Sequence, residues 1–259
     1  MIVCKSPREI EQMRRANVLV AEVLAELASM VKPGVTTAEL DAAAERLVRA
    51  AGAEPAFKGY RGYPATLCAS VNDEVVHGIP GDRAVSEGDI ISLDMGVKLD
   101  GFYGDSAVTV PVGQVSDDVQ RLLRVTQEAL QKGISQVRLG GRVSDIGHAI
   151  QEHVEAAGFS VVREFVGHGI GAQLHEEPQI ANYGEPGRGP RLAEGMTLAI
   201  EPMVNMGKPA VKVLSDGWTA VTKDGSLSAH FEHTVAVTKD GPLILTARTS
   251  PVGARSADL

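Results

Sequence analysis

The segment Ser86-Glu87-Gly88-Asp89-Ile90-Ile91-Ser92-Leu93-Asp94 returns later in the chain as Ala193-Glu194-Gly195-Met196-Thr197-Leu198-Ala199-Ile200-Glu201. The offset is constant, Gly34 stands at the same offset from Gly141, and the match superposes Asp94 on Glu201. His77-Gly78-Ile79 also echoes His168-Gly169-Ile170, at a shorter offset, so the second half carries extra residues after that point. Chance similarity between amphipathic segments does not explain matched acids closing matched strands. The expectation is one domain over 1–248, built from two pseudo-symmetric halves of about 1–113 and 114–248, with a polar C-terminal tail over 249–259. Each half is a helix–helix–sheet unit. Together they make an α+β architecture with helices outside a curved, mostly antiparallel sheet, and a cleft at the junction is the natural place for a site.

Local signals support this order. Ser6-Pro7-Arg8-Glu9 is a capping box with proline at the first helical position, opening a helix that stops at Lys32-Pro33-Gly34. A second helix starts at Thr36 or Thr37, with Glu39 placed for a capping box, and ends at Gly52. Strands are expected over Thr66–Val71, Ile90–Val97 and Phe102–Val110, the last two joined near Asp100-Gly101. Helices then recur from Ser116 or Asp117 to about Val137 and from Ser144 to Ala157, followed by strands at Ser160–Val166, Thr197–Ile200, Val211–Leu214, Trp218–Thr222 and His233–Thr238.

Five residues in this frame are candidate metal ligands: Asp94, Asp105, His168, Glu201 and Glu232. Four carboxylates and an imidazole form a hard, anionic set suited to two divalent cations flanking one water, which points to hydrolysis. Asp94 and Asp105 lie on consecutive strands around a tight turn. With Asp100-Gly101 at its centre they are diagonal neighbours; with the turn one residue earlier they pair directly. Both registers put both carboxylates on one face, where they repel unless a cation or proton intervenes. His168 lies between glycines just after an apolar strand, Glu201 ends one, and Glu232 starts one. A carboxylate left unpaired at such places is costly.

Composition narrows the alternatives. A formal charge of −8 over 259 residues disfavours nucleic-acid binding. Two cysteines, Cys4 and Cys68, build neither a disulfide framework nor a CxxC zinc pattern and point to a reducing cytoplasm. No apolar run suits a bilayer span or a signal core, so no membrane association is expected.

The motifs Gly59-Tyr60-Arg61-Gly62-Tyr63-Pro64, Val76-His77-Gly78-Ile79-Pro80, Gly101-Phe102-Tyr103-Gly104-Asp105, Gly167-His168-Gly169-Ile170-Gly171, His175-Glu176-Glu177-Pro178, Glu201-Pro202 and Phe231-Glu232-His233-Thr234 span nearly the whole chain. In them the sequence resembles the type I methionine aminopeptidases of the creatinase-like, pita-bread family. The resemblance implies that Asp105 and Glu232 bridge two divalent ions (Co, Mn, Fe, Ni or Zn), with Asp94 completing one shell and His168 and Glu201 the other. It implies removal of the initiator methionine from nascent polypeptides, preferably before a small residue, by attack of a metal-bridging hydroxide. Catalytic roles fall to Glu201 as proton shuttle, His77 at the scissile amide nitrogen and His175 at the oxyanion. The methionine slot is expected from Tyr60, Tyr63, Cys68, Trp218 and Phe57, whose rings suit a thioether. Leu174 stands where the family commonly has phenylalanine, loosening that slot. The resemblance also implies a monomer, and the task of trimming nascent chains implies transient ribosome contact.

Three rivals are weighed against this reading. Xaa-Pro aminopeptidases and prolidases share the five-ligand pattern but usually carry an additional N-terminal domain. A type II methionine aminopeptidase would have a long insertion between Glu201 and Glu232. A non-enzymatic binding protein of this fold would lose metal ligands.

Overall fold

The two capping boxes form as read. The Ser6 hydroxyl accepts from Glu9 N–H while the Glu9 carboxylate accepts from Ser6 N–H. Thr36 and Glu39 repeat the exchange, which fixes Thr36 rather than Thr37 as the cap. They open α1 (Pro7–Met30) and α2 (Thr37–Ala50). The later pair is α3 (Asp117–Ser135), capped by Ser116, and α4 (Val143–Ala156). Helix α4 begins one residue before the expected Ser144 because the Asp145 carboxylate accepts the Arg142 N–H.

The computed structural model describes residues 1–247, so the tail expected over 249–259 lies outside the described residues. The strands in chain order are β1 (Glu54–Pro55), β2 (Cys68–Val71), β3 (Glu74–Val76), β4 (Ile90–Leu99), β5 (Phe102–Pro111), β6 (Ser160–Val161), β7 (Gly167–Gly169), β8 (Glu176–Ile180), β9 (Thr197–Ile200), β10 (Met203–Asn205), β11 (Val211–Val213), β12 (Ala220–Thr222), β13 (Ser228–His230), β14 (His233–Thr238) and β15 (Gly241–Ile244).

Strands β4 and β5 form a hairpin with Leu99 opposite Phe102 and Gly96 opposite Asp105. Asp100 and Gly101 both sit at positive φ, 51° and 86°, the conformation a two-residue type I′ turn requires. This is the diagonal register of the two read from the sequence. Strand period then sorts the faces. Ile91, Leu93, Met95 and Val97 pack with Leu24, Leu27, Leu40 and Val48 of α1 and α2, which leaves Ser92 and Asp94 on the opposite face. In the second half, Leu198, Ile200 and Val235 pack with Leu122, Ile146 and Ile150 of α3 and α4. There β9 lies between β14 and β7, and β7 pairs onward to β8.

The halves are joined through backbone. Val76 of β3 pairs with Ala220 of β12, and Ala107 of β5 bridges Glu232. All strand pairings among the described residues are antiparallel.

Four expected strands are shorter than read, Thr66–Val71 keeping Cys68–Val71 and Val211–Leu214 keeping Val211–Val213. The run Ser160–Val166 is strand only at β6, because β10 pairs with Ser160 and Val161 alone. The chain turns away and re-enters a sheet at Gly167, so His168 lies within a strand rather than after one. Trp218 precedes β12 because the Asp216 side chain accepts the Trp218 and Thr219 N–H groups in a turn.

Strand β7 fits because it lacks side chains at both ends. A Cβ on Gly167 would lie 2.3 Å from Ala199 O, and one on Gly169 would lie 2.2 Å from Glu177 O. We expect Gly167→Ala to destabilise the protein by about 1–3 kcal/mol, read as a lower urea midpoint. An unchanged midpoint would contradict this packing of β7 against β9.

Candidate metal centre

The five candidate ligands arrive from both halves. Asp94 and Asp105 project from the β4–β5 hairpin on the face away from α1 and α2, by the register above. Glu232 is tied to that hairpin across the junction. Its N–H donates to Ala107 O at 2.9 Å, its carbonyl accepts from Ser106 Oγ at 2.6 Å, and Thr234 Oγ1 donates to Asp105 O at 2.8 Å. His168 lies opposite Ala199, two residues before Glu201. Its Nε2 stands 3.6 Å from Glu201 Oε1 and 3.8 Å from Asp105 Oδ2. The other ring nitrogen, Nδ1, is 2.9 Å from Gly169 O. A carbonyl only accepts, so Nδ1 carries the proton and the Nε2 lone pair faces the carboxylates, the tautomer a metal ligand needs.

The electrostatics are those of a cation site. Burial pushes Asp94 up to about 7. Asp105, Glu201 and Glu232 are pushed well above the usual carboxylate range, first by burial and then by neighbouring carboxylates, Asp94 acting on all three. Burial pushes His168 down to about 4, which keeps it neutral. Asp105 Oδ1 and Glu232 Oε1 are buried with no hydrogen-bond partner. Atoms of Asp105, His168 and Glu232 lie within 4.8 Å of one another. Idle buried acceptors and a neutral imidazole around one point fit a hard divalent cation. Without one, the set carries an unrelieved desolvation cost.

This cluster forms one wall of a cavity of about 170 Å³. The other walls are Phe57, Tyr60, Arg61, Tyr63, Cys68, His77, Leu174, His175 and Trp218, so every candidate site residue from the sequence borders one space. Tyr63 and Trp218 meet edge to face at 5.2 Å, with Cys68 buried beside them. The Tyr63 hydroxyl is 2.9 Å from Gly78 O and 3.1 Å from Leu67 O, anchoring the ring. His175 sits at the exposed rim, stacked on Tyr60 with its Nδ1 2.9 Å from the Tyr60 hydroxyl. Burial and then the Arg61 charge lower its pKa. His77 occupies the left-handed region at φ 61°, a strained backbone conformation that clusters at functional sites. Its ring stands perpendicular to Phe165 at 5.4 Å, and burial pushes it down to about 4.

Arg61 and His230 were not singled out by sequence. Arg61 lies inside a quoted motif but reads as a turn residue. His230 sits two residues before Glu232, and strand alternation alone would have put the pair on one face. A larger, open hollow of about 450 Å³ beside α4 is walled by exposed Glu152, Glu155 and Glu185.

A profile of metallopeptidase family M24 matches residues 11–239. Methionine aminopeptidase 1 of Bacillus subtilis (strain 168) is 57% identical over 246 residues, covering 95% of this chain and 99% of the relative. The crystal structure of methionine aminopeptidase from Rickettsia prowazekii superposes with a TM-score of 0.94 at 44% identity, covering 95% of this chain and 100% of that one. The prolidase from Pyrococcus horikoshii OT3 shares the fold alone, with a TM-score of 0.78 at 22% identity over 96% of this chain and 65% of its own. The α+β pita-bread architecture expected from the sequence is therefore the one observed. With its divalent-metal ligand cluster at the junction of two helix–helix–sheet halves, the chain belongs to metallopeptidase family M24.

Proposed function

We propose that this protein is a metal-dependent aminopeptidase that removes the N-terminal methionine of nascent proteins, preferably before a small residue. The observation that carries the reading is one cavity with a carboxylate–imidazole cluster on one side and an aromatic–thiol slot on the other. Residues 1–248 act as a single catalytic unit, its halves 1–113 and 114–248 each supplying ligands. Asp94, Asp105, His168, Glu201 and Glu232 hold two divalent ions, drawn from Co, Mn, Fe, Ni or Zn. When bound, such ions supply Lewis acidity, polarising a carbonyl oxygen and acidifying water.

The chain's own residues do the rest. Glu201, raised above the usual carboxylate range by burial, takes a proton from water and delivers it to the leaving amine. His77, held in a strained conformation at the cavity wall, contacts the scissile amide nitrogen. His175 donates to the developing oxyanion. In the tautomer whose Nδ1 accepts from the Tyr60 hydroxyl 2.9 Å away, the neutral ring carries its proton on Nε2 and can donate it to the oxyanion. Tyr60, Tyr63, Cys68, Trp218, Phe57 and Leu174 surround the methionine side chain and exclude water. No helix among the described residues is long and apolar enough to cross a membrane. Action in the cytoplasm as a monomer, in transient contact with the ribosome, completes the proposal.

Glu201→Gln and His168→Ala should each lower kcat about 100-fold or more with an unchanged circular dichroism spectrum. Near-normal turnover in either would remove the assigned roles. Methionine should be released from Met-Ala-Ser only with divalent metal present, and an Ala-Pro peptide should resist. Proline-dependent cleavage alone would favour a prolidase-like activity, and no metal-dependent cleavage would end the enzymatic reading.

The site also sets a pH dependence. Carboxyls raised in the folded state bind more protons there than in the unfolded chain, so they lower stability as pH rises through their folded values. The depressed histidines, His77, His168 and His233 at about 4, His230 at about 3 and the lowered His175, add stability as pH rises, but that gain is complete near the ordinary histidine value of about 6.5. Above it only the carboxyl effect remains. In chelator the melting temperature should therefore fall between roughly pH 6.5 and 8, and saturating Mn²⁺ should remove the fall. A flat or rising profile in chelator would contradict the raised carboxyls.

A further inference from the structure

His230 ends β13 at 1% exposure, and neither of its ring nitrogens has a hydrogen-bond partner. Buried polar groups are nearly always paired, so two idle nitrogens on one ring call for an explanation. The backbone cannot move to supply one. Thr109 Oγ1 accepts the His230 N–H at 2.8 Å and donates to the His230 carbonyl at 2.8 Å. With its proton so used, Thr109 accepts from Ser92 Oγ, also at 2.8 Å. His230 is thus pinned to the β4–β5 hairpin that carries Asp94 and Asp105.

The ring faces Glu201. His230 Nε2 lies 3.8 Å from Glu201 Oε2, while Glu201 Oε1 lies 3.6 Å from His168 Nε2. One carboxylate therefore sits between two imidazoles, one toward each oxygen. The two imidazoles are not equivalent. His168 donates its Nδ1 proton to Gly169 O and presents a lone pair, whereas His230 has both nitrogens free to choose a tautomer. A separation of 3.8 Å is beyond hydrogen-bond range, but the terminal torsion of a glutamate is soft and a small rotation closes it.

We propose that His230 is a positioning residue for Glu201: its Nε2–H donates to Oε2 and holds the carboxylate turned so that Oε1 faces His168 and is left to a cation. The inference rests on the metal-holding reading above. Removing a group that orients a ligand in this way weakens metal binding about 10- to 100-fold.

The test is titration of chelator-stripped protein with Co²⁺, followed by visible absorption and calorimetry. His230→Leu should bind Co²⁺ about 10- to 100-fold more weakly, with an altered visible spectrum. His230→Gln, whose amide keeps an N–H donor, should recover most of the affinity. Circular dichroism checks the metal-free fold, and His230→Met carries the same expectation should the leucine variant not fold. Unchanged affinity in the variants lacking a donor would overturn the proposal. Equal loss in His230→Gln would also overturn it, because a ring that ligates directly is not replaced by an amide. No Co²⁺ binding by the wild-type protein would overturn the metal reading and this inference with it.

Discussion

Four desolvated carboxylates share one face of this structure, and most of its other features follow from what they need. Asp105 and Glu232 place atoms within 4.8 Å of one another. At an effective dielectric near 20, two unit charges at that separation repel by roughly 3 kcal/mol, and burial adds its own penalty for each ion. Protons relieve this at low pH and divalent cations relieve it at neutral pH. The cluster is thus a charge demand written into the fold, and a single neutral imidazole, His168, adds a candidate ligand without adding negative charge.

The fold meets the demand by drawing candidate ligands from both halves. The β4–β5 hairpin brings Asp94 and Asp105, whose relation is local and set by a two-residue turn. Glu232 joins them through backbone and hydroxyl hydrogen bonds to β5 rather than through its own strand neighbours. His168 lies in β7 and Glu201 directly follows the adjacent β9, the two strands brought close because glycines flank the histidine. Each of the five candidate ligands thus lies in a strand, directly after one or in a backbone bridge to one, which limits how far the set relaxes when its charge changes. The apolar half of the cavity is fixed as firmly, with the Tyr63 hydroxyl anchored to backbone and Trp218 packed on its edge.

Legibility from sequence varied with distance along the chain. Both capping boxes, the hairpin and strands β9 and β14 could be read because their causes lie within a few residues: a side chain three positions on, a turn dipeptide, a run of alternating or apolar residues. Short strands such as β3, β8, β10 and β13 were not read, because three to five residues carry too little pattern and exist only through a distant partner. The Ser160–Val166 run misled for the same reason: its apolar character favours a strand, but only Ser160 and Val161 pair with β10, and contact with it ends at the Val162 N–H bond to Met203 O.

By itself the sequence determined the duplicated helix–helix–sheet plan, the register options of the hairpin and the chemical character of the ligand set. These rest on residue identity, periodicity and local hydrogen bonding. Only the tertiary structure decided that the five candidate ligands and the aromatic slot border one cavity, that His168 presents Nε2, and that His230 lies against Glu201. Those relations depend on pairing between β3 and β12 and between Ala107 and Glu232. They are contacts between residues far apart in the chain, and no local preference encodes them.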